Sequence, residues 1–300
     1  MTYAHREQIY DADTHMMERP DWIAEFSDST IKPHLEPFVG GKEEILKQID
    51  TAIKSFKERT SNQDISTKAN KNFMSMEHKG WNGLGAFDSK ERKLANDLLG
   101  FEAYILFPTS SFNQVIAAKE QKILMGGIQA LNRGLATFCK EDKRMFPTAY
   151  IPLGLGPDIA KKFVDEAISM DFSIILIDTV APRGQISFTH PDYNTFWATV
   201  QDADLSVTLH VGADGGYSPV PKSFYENKKK VPTHVEGDAP NDALAYMAIQ
   251  YNAELFLSAM IFDGVLERFP NLRIGVVELG ASWIISWMKH LDQSYKAFKK

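Results

Sequence analysis

Five short apolar runs in the last two thirds of the chain alternate with stretches of helical pattern, and this alternation limits the possible folds more than any other sequence feature. The runs are rich in Ile, Leu and Val on both faces, which is typical of strands buried in a parallel sheet. They cover residues 103–109, 148–153, 173–180, 206–212 and 272–279. With the QIYDAD segment near the N-terminus they make six strands, nearly all followed by a helix, so the sequence predicts an α/β fold.

Two architectures fit this order of elements, a doubly wound sheet and a (β/α)8 TIM barrel. A barrel has eight strands and typically about 250 residues, whereas six strands can be recognised here before a final helical pattern at 281–300. A barrel would therefore be distorted and incomplete, with its last two strands missing. Residues 27–100 are polar and helical in pattern, and we expect them to form a helical insertion after strand one. All of this is expected to lie in a single domain over residues 1–300.

The composition is that of an ordinary globular protein, with 44% hydrophobic and 24% charged residues. The net charge of -6 offers no basic field for nucleic acid or for an anionic membrane. The longest apolar run, ELFLSAMIF, is too short to cross a bilayer, and the N-terminus lacks the apolar core of a signal peptide. The single cysteine, Cys139, excludes an internal disulfide framework and fits a reducing compartment. We therefore expect a cytoplasmic protein that binds neither nucleic acid nor membrane.

Polar side chains stand where the predicted strands end. They are Asp11, Asp13 and His15 on the first strand, Asp178 on the fourth, His210 on the fifth and Glu278 on the sixth. Alternation would place the three side chains of the first strand on one face. In parallel α/β folds the active site collects at the carboxyl ends of the strands. Imidazoles and carboxylates are good ligands for zinc, manganese or iron, so the pattern indicates a metal site.

Each of these residues also has an ordinary structural interpretation. A single histidine at a strand end, such as His210, is more often a hydrogen-bonding group than a ligand. Asp178 and Glu278 could cap the helices that follow them, and Asp11 could orient its neighbours. Capping alone does not explain why three different strands end on suitable ligands, and this coincidence favours the metal site.

A second interpretation of the first strand is the nucleophile loop of a haloacid-dehalogenase-type phosphatase. Asp11 would then be the nucleophile and Asp13 the acid/base, with magnesium held by Asp238 and Asp242 of the EGDAPND segment. Three observations count against it. The Gly-Thr that follows the first motif in that family is Thr-His here, no apolar strand precedes EGDAPND, and the later strand ends are left unexplained. The Pro-Asn-Asp of that segment is more simply the start of a helix.

Three segments resemble the amidohydrolase superfamily: DADTHMMERPDW, HPDYNTFWATVQDADLSVTLHVG and DGVLERFPNLRIGVVELGASWIISWMKHLD. The resemblance is to the branch typified by aminocarboxymuconate-semialdehyde decarboxylase and related hydroxybenzoate decarboxylases, and it is weaker over residues 27–100. It implies a distorted TIM barrel with one divalent metal ion at its mouth, with zinc favoured over manganese or iron. The family's last ligand, an Asp that closes strand eight, has no counterpart in this sequence, which implies a member without its C-terminal strands.

The resemblance also implies roles for individual residues. Asp13 and His15 correspond to the strand-one ligands. His210 corresponds to the strand-five ligand and is also expected to be a catalytic residue. Glu278 stands where the family usually has a catalytic histidine, and is expected to act as a general base or as a further ligand. The residues expected to line the substrate pocket are Trp283, Phe107 and Ser110.

These observations together predict a metal-dependent hydrolase or decarboxylase. Its substrate would be a small aromatic or unsaturated carboxylic acid, ester or amide, and a homodimer is the expected assembly. The alternative is a catalytically inactive or truncated family member that serves as a binding or scaffold subunit.

Overall fold

The computed structural model describes residues 2–5, 7–35, 43–75, 79–179, 186–213, 219–228 and 242–298. The chain forms two compact units, Met1–Tyr150 and Ile151–Lys300. Whether they make one domain over 1–300, as expected from the sequence, stays a prediction. Among the described residues, no helix is both long enough and apolar enough to span a membrane.

The first unit is built on three parallel strands with helices between them. The strands are β1 Tyr10–His15, β2 Ala103–Phe107 and β3 Met145–Ile151, and β2 pairs with both of the others. The helices are α1 Trp22–Glu25, α2 Glu43–Ser61, α3 Gln63–Lys71, α4 Ser89–Leu99, α5 Ser110–Ile116 and α6 Gln121–Cys139. The helical insertion predicted after strand one is confirmed by α2, α3 and α4. Two helices, α5 and α6, connect β2 to β3.

The second unit repeats this plan. Its strands are β4 Ile174–Ile177, β5 Ser206–His210 and β6 Arg273–Val277, and β5 is parallel to both of its neighbours. The helices are α7 Pro157–Ser169, α8 Asn194–Asp202, α9 Ala243–Met247, α10 Tyr251–Phe262, α11 Val265–Arg268 and α12 Ile284–Phe298. All four residues of β4 are buried, as expected for a run that is apolar on both faces.

The order of the strands separates the two predicted architectures. Over the described residues the strands of each unit follow one another in sequence order, β1-β2-β3 in the first and β4-β5-β6 in the second. A doubly wound sheet reverses its strand order at a switch point, whereas a barrel adds each new strand beside the previous one. The predicted α/β fold is therefore confirmed as an incomplete (β/α)8 barrel rather than a doubly wound sheet.

Strand β1 contains an irregularity that sequence periodicity does not show. Asp11 is paired with Tyr104 and Thr14 with Leu106, so β1 uses one residue more than β2 between these pairs. Such an extra residue is a β-bulge, which interrupts the alternation of side chains. The side chains of Asp11, Asp13 and His15 therefore cannot be assigned to one face by alternation alone.

The segment that follows β1 is held in the core by helix α6. Trp22 and Ile23 are buried, and the ring of Trp22 lies against Gly134, where a Cβ atom would approach it to 2.6 Å. A Cβ atom at Gly126 would come within 2.5 Å of Ile31. Only glycine at these positions lets α6 approach so closely, and this packing restrains the chain just beyond His15.

Candidate metal centre

The first unit places Asp13 and His15 side by side at the carboxyl end of β1. The Nε2 atom of His15 lies 3.3 Å from Oδ1 of Asp13, with 15% and 34% of the two side chains exposed. The Asp11 carboxylate accepts the backbone N–H of Asp13 at 3.0 Å, so it supports the loop beside the pair. One imidazole nitrogen and one carboxylate thus meet at a position that solvent can reach.

The second ring nitrogen of His15 is bonded to Thr109. Its Nδ1 atom lies 3.0 Å from Oγ1 of Thr109, and the same hydroxyl donates to the carbonyl of Met16 at 2.8 Å. Because the one hydroxyl proton goes to Met16, the hydroxyl accepts from Nδ1–H of His15. Nδ1 therefore carries a proton, and in the neutral imidazole Nε2, the nitrogen beside Asp13, is the one left to bind a metal ion.

Arg92 of helix α4 fastens the backbone at the end of β1. Its guanidinium donates to the carbonyl of His15 at 2.7 Å, to the hydroxyl of Thr14 at 3.3 Å and to the carbonyl of Gly85 at 2.8 Å. Burial lowers the pKa of Arg92 to about 10, so the guanidinium is still cationic at neutral pH. The insertion therefore contributes a partly buried cation that holds β1 in place.

The second unit presents a matching pair at the ends of β5 and β6. His210 is the last residue of β5 and is buried, and its Nδ1 donates to the carbonyl of Val211 at 2.8 Å. Its Nε2 lies 3.7 Å from Oε2 of Glu278, whose side chain is 45% exposed. The carbonyl of Val211 can only accept, so the proton of neutral His210 also sits on Nδ1. Both histidines therefore offer the same ring nitrogen beside a carboxylate.

Glu278 has a backbone conformation that its sequence position does not predict. It follows β6 directly and has φ 58°, in the left-handed region that side chains other than Gly, Asn and Asp seldom adopt. Such a conformation costs an L-residue about 1–2 kcal/mol. Backbone strain of this kind clusters at functional sites, where the fold tolerates it in order to aim a side chain.

Exchanging the side chain of Glu278 tests this strain. Glu278→Gly is expected to be more stable than Glu278→Ala by about 1 kcal/mol, because glycine adopts the left-handed region freely. Both variants lack the carboxylate, so the comparison isolates the backbone contribution. Urea unfolding followed by circular dichroism measures the difference, and equal midpoints with equal slopes would show that no strain is stored at this residue.

Four side chains in the described part of the chain are suited to holding a metal ion. They are Asp13, His15, His210 and Glu278. Each offers one ligand atom, Asp13 and His15 in the first unit and His210 and Glu278 in the second. The donor set of two imidazole nitrogens and two carboxylate oxygens fits zinc, manganese or iron.

The capping interpretation is wrong for Glu278, and for Asp178 it stays a prediction because residues 180–185 lie outside the described part of the chain. Asp178 is buried, and its carboxylate accepts the N–H of Gly154 at 3.3 Å, whereas the next described helix, α8, begins only at Asn194. Glu278 stands too far ahead of α12, which begins at Ile284, to cap it.

Asp242, by contrast, does begin a helix. Its carboxylate accepts the N–H groups of Leu244 and Ala245 at 2.9 and 3.0 Å, and these bonds lower its pKa. The phosphatase interpretation needed this carboxylate as a magnesium ligand, but it is the N-cap of α9. The other ligand of that interpretation, Asp238, lies outside the described residues.

The three residues expected to line the pocket are all buried. Phe107 is stacked on His15 with the ring centroids 5.7 Å apart, and the N–H of Ser110 donates to Glu18. Trp283 donates its indole N–H to the carbonyls of Leu279 and Gly280. These contacts orient neighbouring parts of the site, and a part in substrate binding stays a prediction for all three.

Two residues of the site were missed by sequence reasoning, Glu18 and Thr109. Glu18 stands three residues after His15 in DADTHMMERPDW, and Thr109 follows β2 directly. Both are close to the ends of strands, which is the one signal that would have drawn attention to them.

Comparisons with known proteins identify the fold. No protein-family model matches the chain, and no curated protein matches it in sequence. An amidohydrolase from Mycobacterium avium subsp. paratuberculosis K-10 is similar in structure, with TM-score 0.66 and 14% identity over 98% of this chain and 79% of that one. A 5-carboxyvanillate decarboxylase from Novosphingobium aromaticivorans DSM 12444, in complex with manganese and 4-hydroxy-3-methoxy-5-nitrobenzoic acid, has TM-score 0.57 and 15% identity over 99% and 72%.

A third similar structure is the 2,6-dihydroxybenzoate decarboxylase from Rhizobium, with TM-score 0.52 and 19% identity over 77% of this chain and 68% of that one. All three are amidohydrolase-superfamily structures, and two of them belong to the decarboxylase branch that the sequence resembles. At these identities the likeness establishes the fold. The chain thus has a TIM-barrel fold similar to that of these three structures.

Proposed function

We propose that this protein is a metal-dependent enzyme of the amidohydrolase superfamily. It acts on a small aromatic or unsaturated carboxylic acid, or on an ester or amide of one, by decarboxylation or hydrolysis. The observation that carries the proposal is the pair of histidines at the ends of β1 and β5. Each has Nδ1 bonded to a fixed oxygen and Nε2 beside a carboxylate, which is how metal-binding histidines are held in proteins.

The proposed ligands are Asp13, His15 and His210. Zinc is the first candidate, and the manganese in the similar carboxyvanillate decarboxylase supports manganese as well. A divalent ion supplies Lewis acidity there, lowering the pKa of a water or polarising a carboxylate or carbonyl oxygen. The burial of His210 and the partial burial of His15 limit the access of bulk water to the ligand atoms, which strengthens electrostatic interactions at the site.

Glu278 is the proposed proton carrier. Its carboxylate is half exposed and stands beside His210, so it can reach a substrate that enters from solvent. In hydrolysis it accepts a proton from the attacking water and passes it to the leaving group. In decarboxylation it delivers a proton to the carbon that loses carbon dioxide, so the electron pair of the broken bond ends in the new C–H bond.

An aromatic carboxylic acid is the preferred substrate class. Two of the similar structures are decarboxylases whose names specify hydroxylated benzoic acids. The aromatic residue Trp283, just beyond Glu278, is consistent with such a substrate. A homodimer, expected from the sequence, stays a prediction.

Removal and return of the metal tests the proposal. The purified protein is expected to hold about one divalent ion per chain, to lose turnover after treatment with a chelator and to regain it with zinc, manganese or iron. Carbon dioxide release from 2,6-dihydroxybenzoate and 5-carboxyvanillate, and hydrolysis of an aryl ester, distinguish the two reactions. Protein that binds none of these ions above background would contradict the proposal and favour the scaffold alternative.

A further inference from the structure

We propose that Glu18 and Thr109 are positioning residues that hold His15 in the Nδ1–H tautomer, with Nε2, the nitrogen beside Asp13, left to bind a metal ion. This inference rests on the proposed metal site, because it explains how the first unit prepares one of the ligands before an ion arrives. We call the three residues Glu18, Thr109 and His15 the positioning relay. All of them lie in the first unit.

Thr109 is the N-cap of helix α5 but does not cap it. An N-cap threonine normally uses its hydroxyl oxygen to accept an N–H from the first turn. Here the Thr109 side chain makes no capping bond. Its hydroxyl instead lies 2.8 Å from the carbonyl of Met16 and 3.0 Å from Nδ1 of His15. The Thr109 hydroxyl, which would be expected to cap α5, therefore binds His15 instead.

Glu18 replaces the missing cap. Its two carboxylate oxygens accept the N–H groups of Thr109 and Ser110 at 2.9 and 2.8 Å. The side chain is buried, which raises the pKa of Glu18, while the backbone N–H donors of residues 109–111 act in the opposite direction. The backbone of Glu18 is held in turn by the indole N–H of Trp81, which donates to its carbonyl at 3.1 Å.

This exchange of partners fixes the tautomer of His15. With Glu18 on the N–H groups of α5, the Thr109 hydroxyl is free to give its proton to Met16 and to accept from the imidazole. Phe107 holds the ring plane by stacking at an interplanar angle of 30°. A free neutral histidine exchanges between two tautomers, so a fixed Nδ1–H removes the cost of selecting one when a ligand binds.

The tautomer of His15 can be observed directly in metal-free protein. Long-range ¹H–¹⁵N correlation spectra at a pH where the imidazole is neutral are expected to show Nδ1 protonated in the wild type. Thr109→Val removes the hydroxyl at constant shape and is expected to mix the two tautomers. It should also weaken zinc or manganese binding about 10–100-fold, which is the usual effect of losing the hydrogen bond that orients a metal-binding histidine. Thr109→Ser keeps the hydroxyl and should restore both properties.

The matched control is Thr148→Val. Thr148 is a buried residue of the same unit, whereas Thr109 is partly buried, and the Thr148 hydroxyl also donates to a strand carbonyl, that of Leu106, at 3.0 Å. This variant should lose similar stability while the His15 tautomer and the metal affinity stay unchanged. Glu18→Gln, which exchanges one accepting oxygen for a donor, should shift the tautomer toward that of Thr109→Val.

The outcomes separate the relay from the proposed function. Nδ1–H at His15 that persists in Thr109→Val, or an Nε2–H tautomer in the wild type, overturns the relay even if metal binds with one-to-one stoichiometry. A fixed tautomer that Thr109→Val abolishes supports the relay even if no metal binds, in which case the proposed function fails alone. His210, bonded to its own carbonyl, gives an internal reference in every spectrum.

Discussion

Replacing His15 or His210 by alanine is expected to abolish metal binding by this protein. Each substitution removes an Nε2 donor that stands beside a carboxylate, 3.3 Å away for His15 and 3.7 Å for His210. Loss of a hydrogen bond that orients a metal ligand weakens metal affinity about 10–100-fold. Loss of the ligand itself should therefore weaken metal affinity by more than about 100-fold. Metal content after dialysis and titration calorimetry with zinc and manganese measure the effect.

A histidine outside the site serves as the control. His290 is an exposed residue of helix α12, so His290→Ala should keep the wild-type metal content. Wild-type stoichiometry and affinity in both His15→Ala and His210→Ala would contradict the proposed site. If only one of the two variants lost the ion, the ligand set would be limited to one pair of residues.

Glu278→Gln is expected to lower kcat about 10²–10⁴-fold, the range for loss of a general acid or base. The amide keeps the size of the side chain and the same backbone conformation, but it cannot accept and return a proton. If Glu278 transfers protons and does not bind the metal ion, metal affinity and KM should stay within a few fold of the wild type. Steady-state kinetics on the reconstituted enzyme, together with metal titration, check both statements.

The same variant decides between the two roles predicted for this carboxylate. Metal affinity that falls together with kcat would identify Glu278 as a ligand rather than a base. Unchanged kcat would remove it from the mechanism altogether. Glu267→Gln, an exposed change on helix α11, is the matched control and should leave turnover unchanged.

Local sequence signals predict the strands well, because a strand that is buried on both faces is a nearly continuous apolar run. The run at 173–180 contains β4. The run at 206–212 begins at the first residue of β5, and β5 ends at His210, the residue proposed from the sequence as the end of this strand. The helices are less well predicted at their ends. The final helical pattern at 281–300, for example, forms a helix that begins only at Ile284, because apolar periodicity does not show where the backbone bonds of a helix start and stop.

The residue types of the candidate site follow from the sequence, but their geometry does not. Asp13, His15, His210 and Glu278 could be chosen from the sequence because each stands at a strand end. The left-handed backbone of Glu278 could not, since φ at a glutamate has no sequence signature. The bulge in β1 was missed for a similar reason, because register depends on the partner strand.

The sequence by itself determined the alternation of strands and helices and the polar residues at the strand ends, because these follow from hydrophobic patterns over a few neighbouring residues. Only the tertiary structure decided how those residues are held. The bonds from Thr109 to His15 and to Glu18 join groups 94 and 91 residues apart in the chain. No local pattern encodes such bonds, because the partners become neighbours only when β1 and β2 pair.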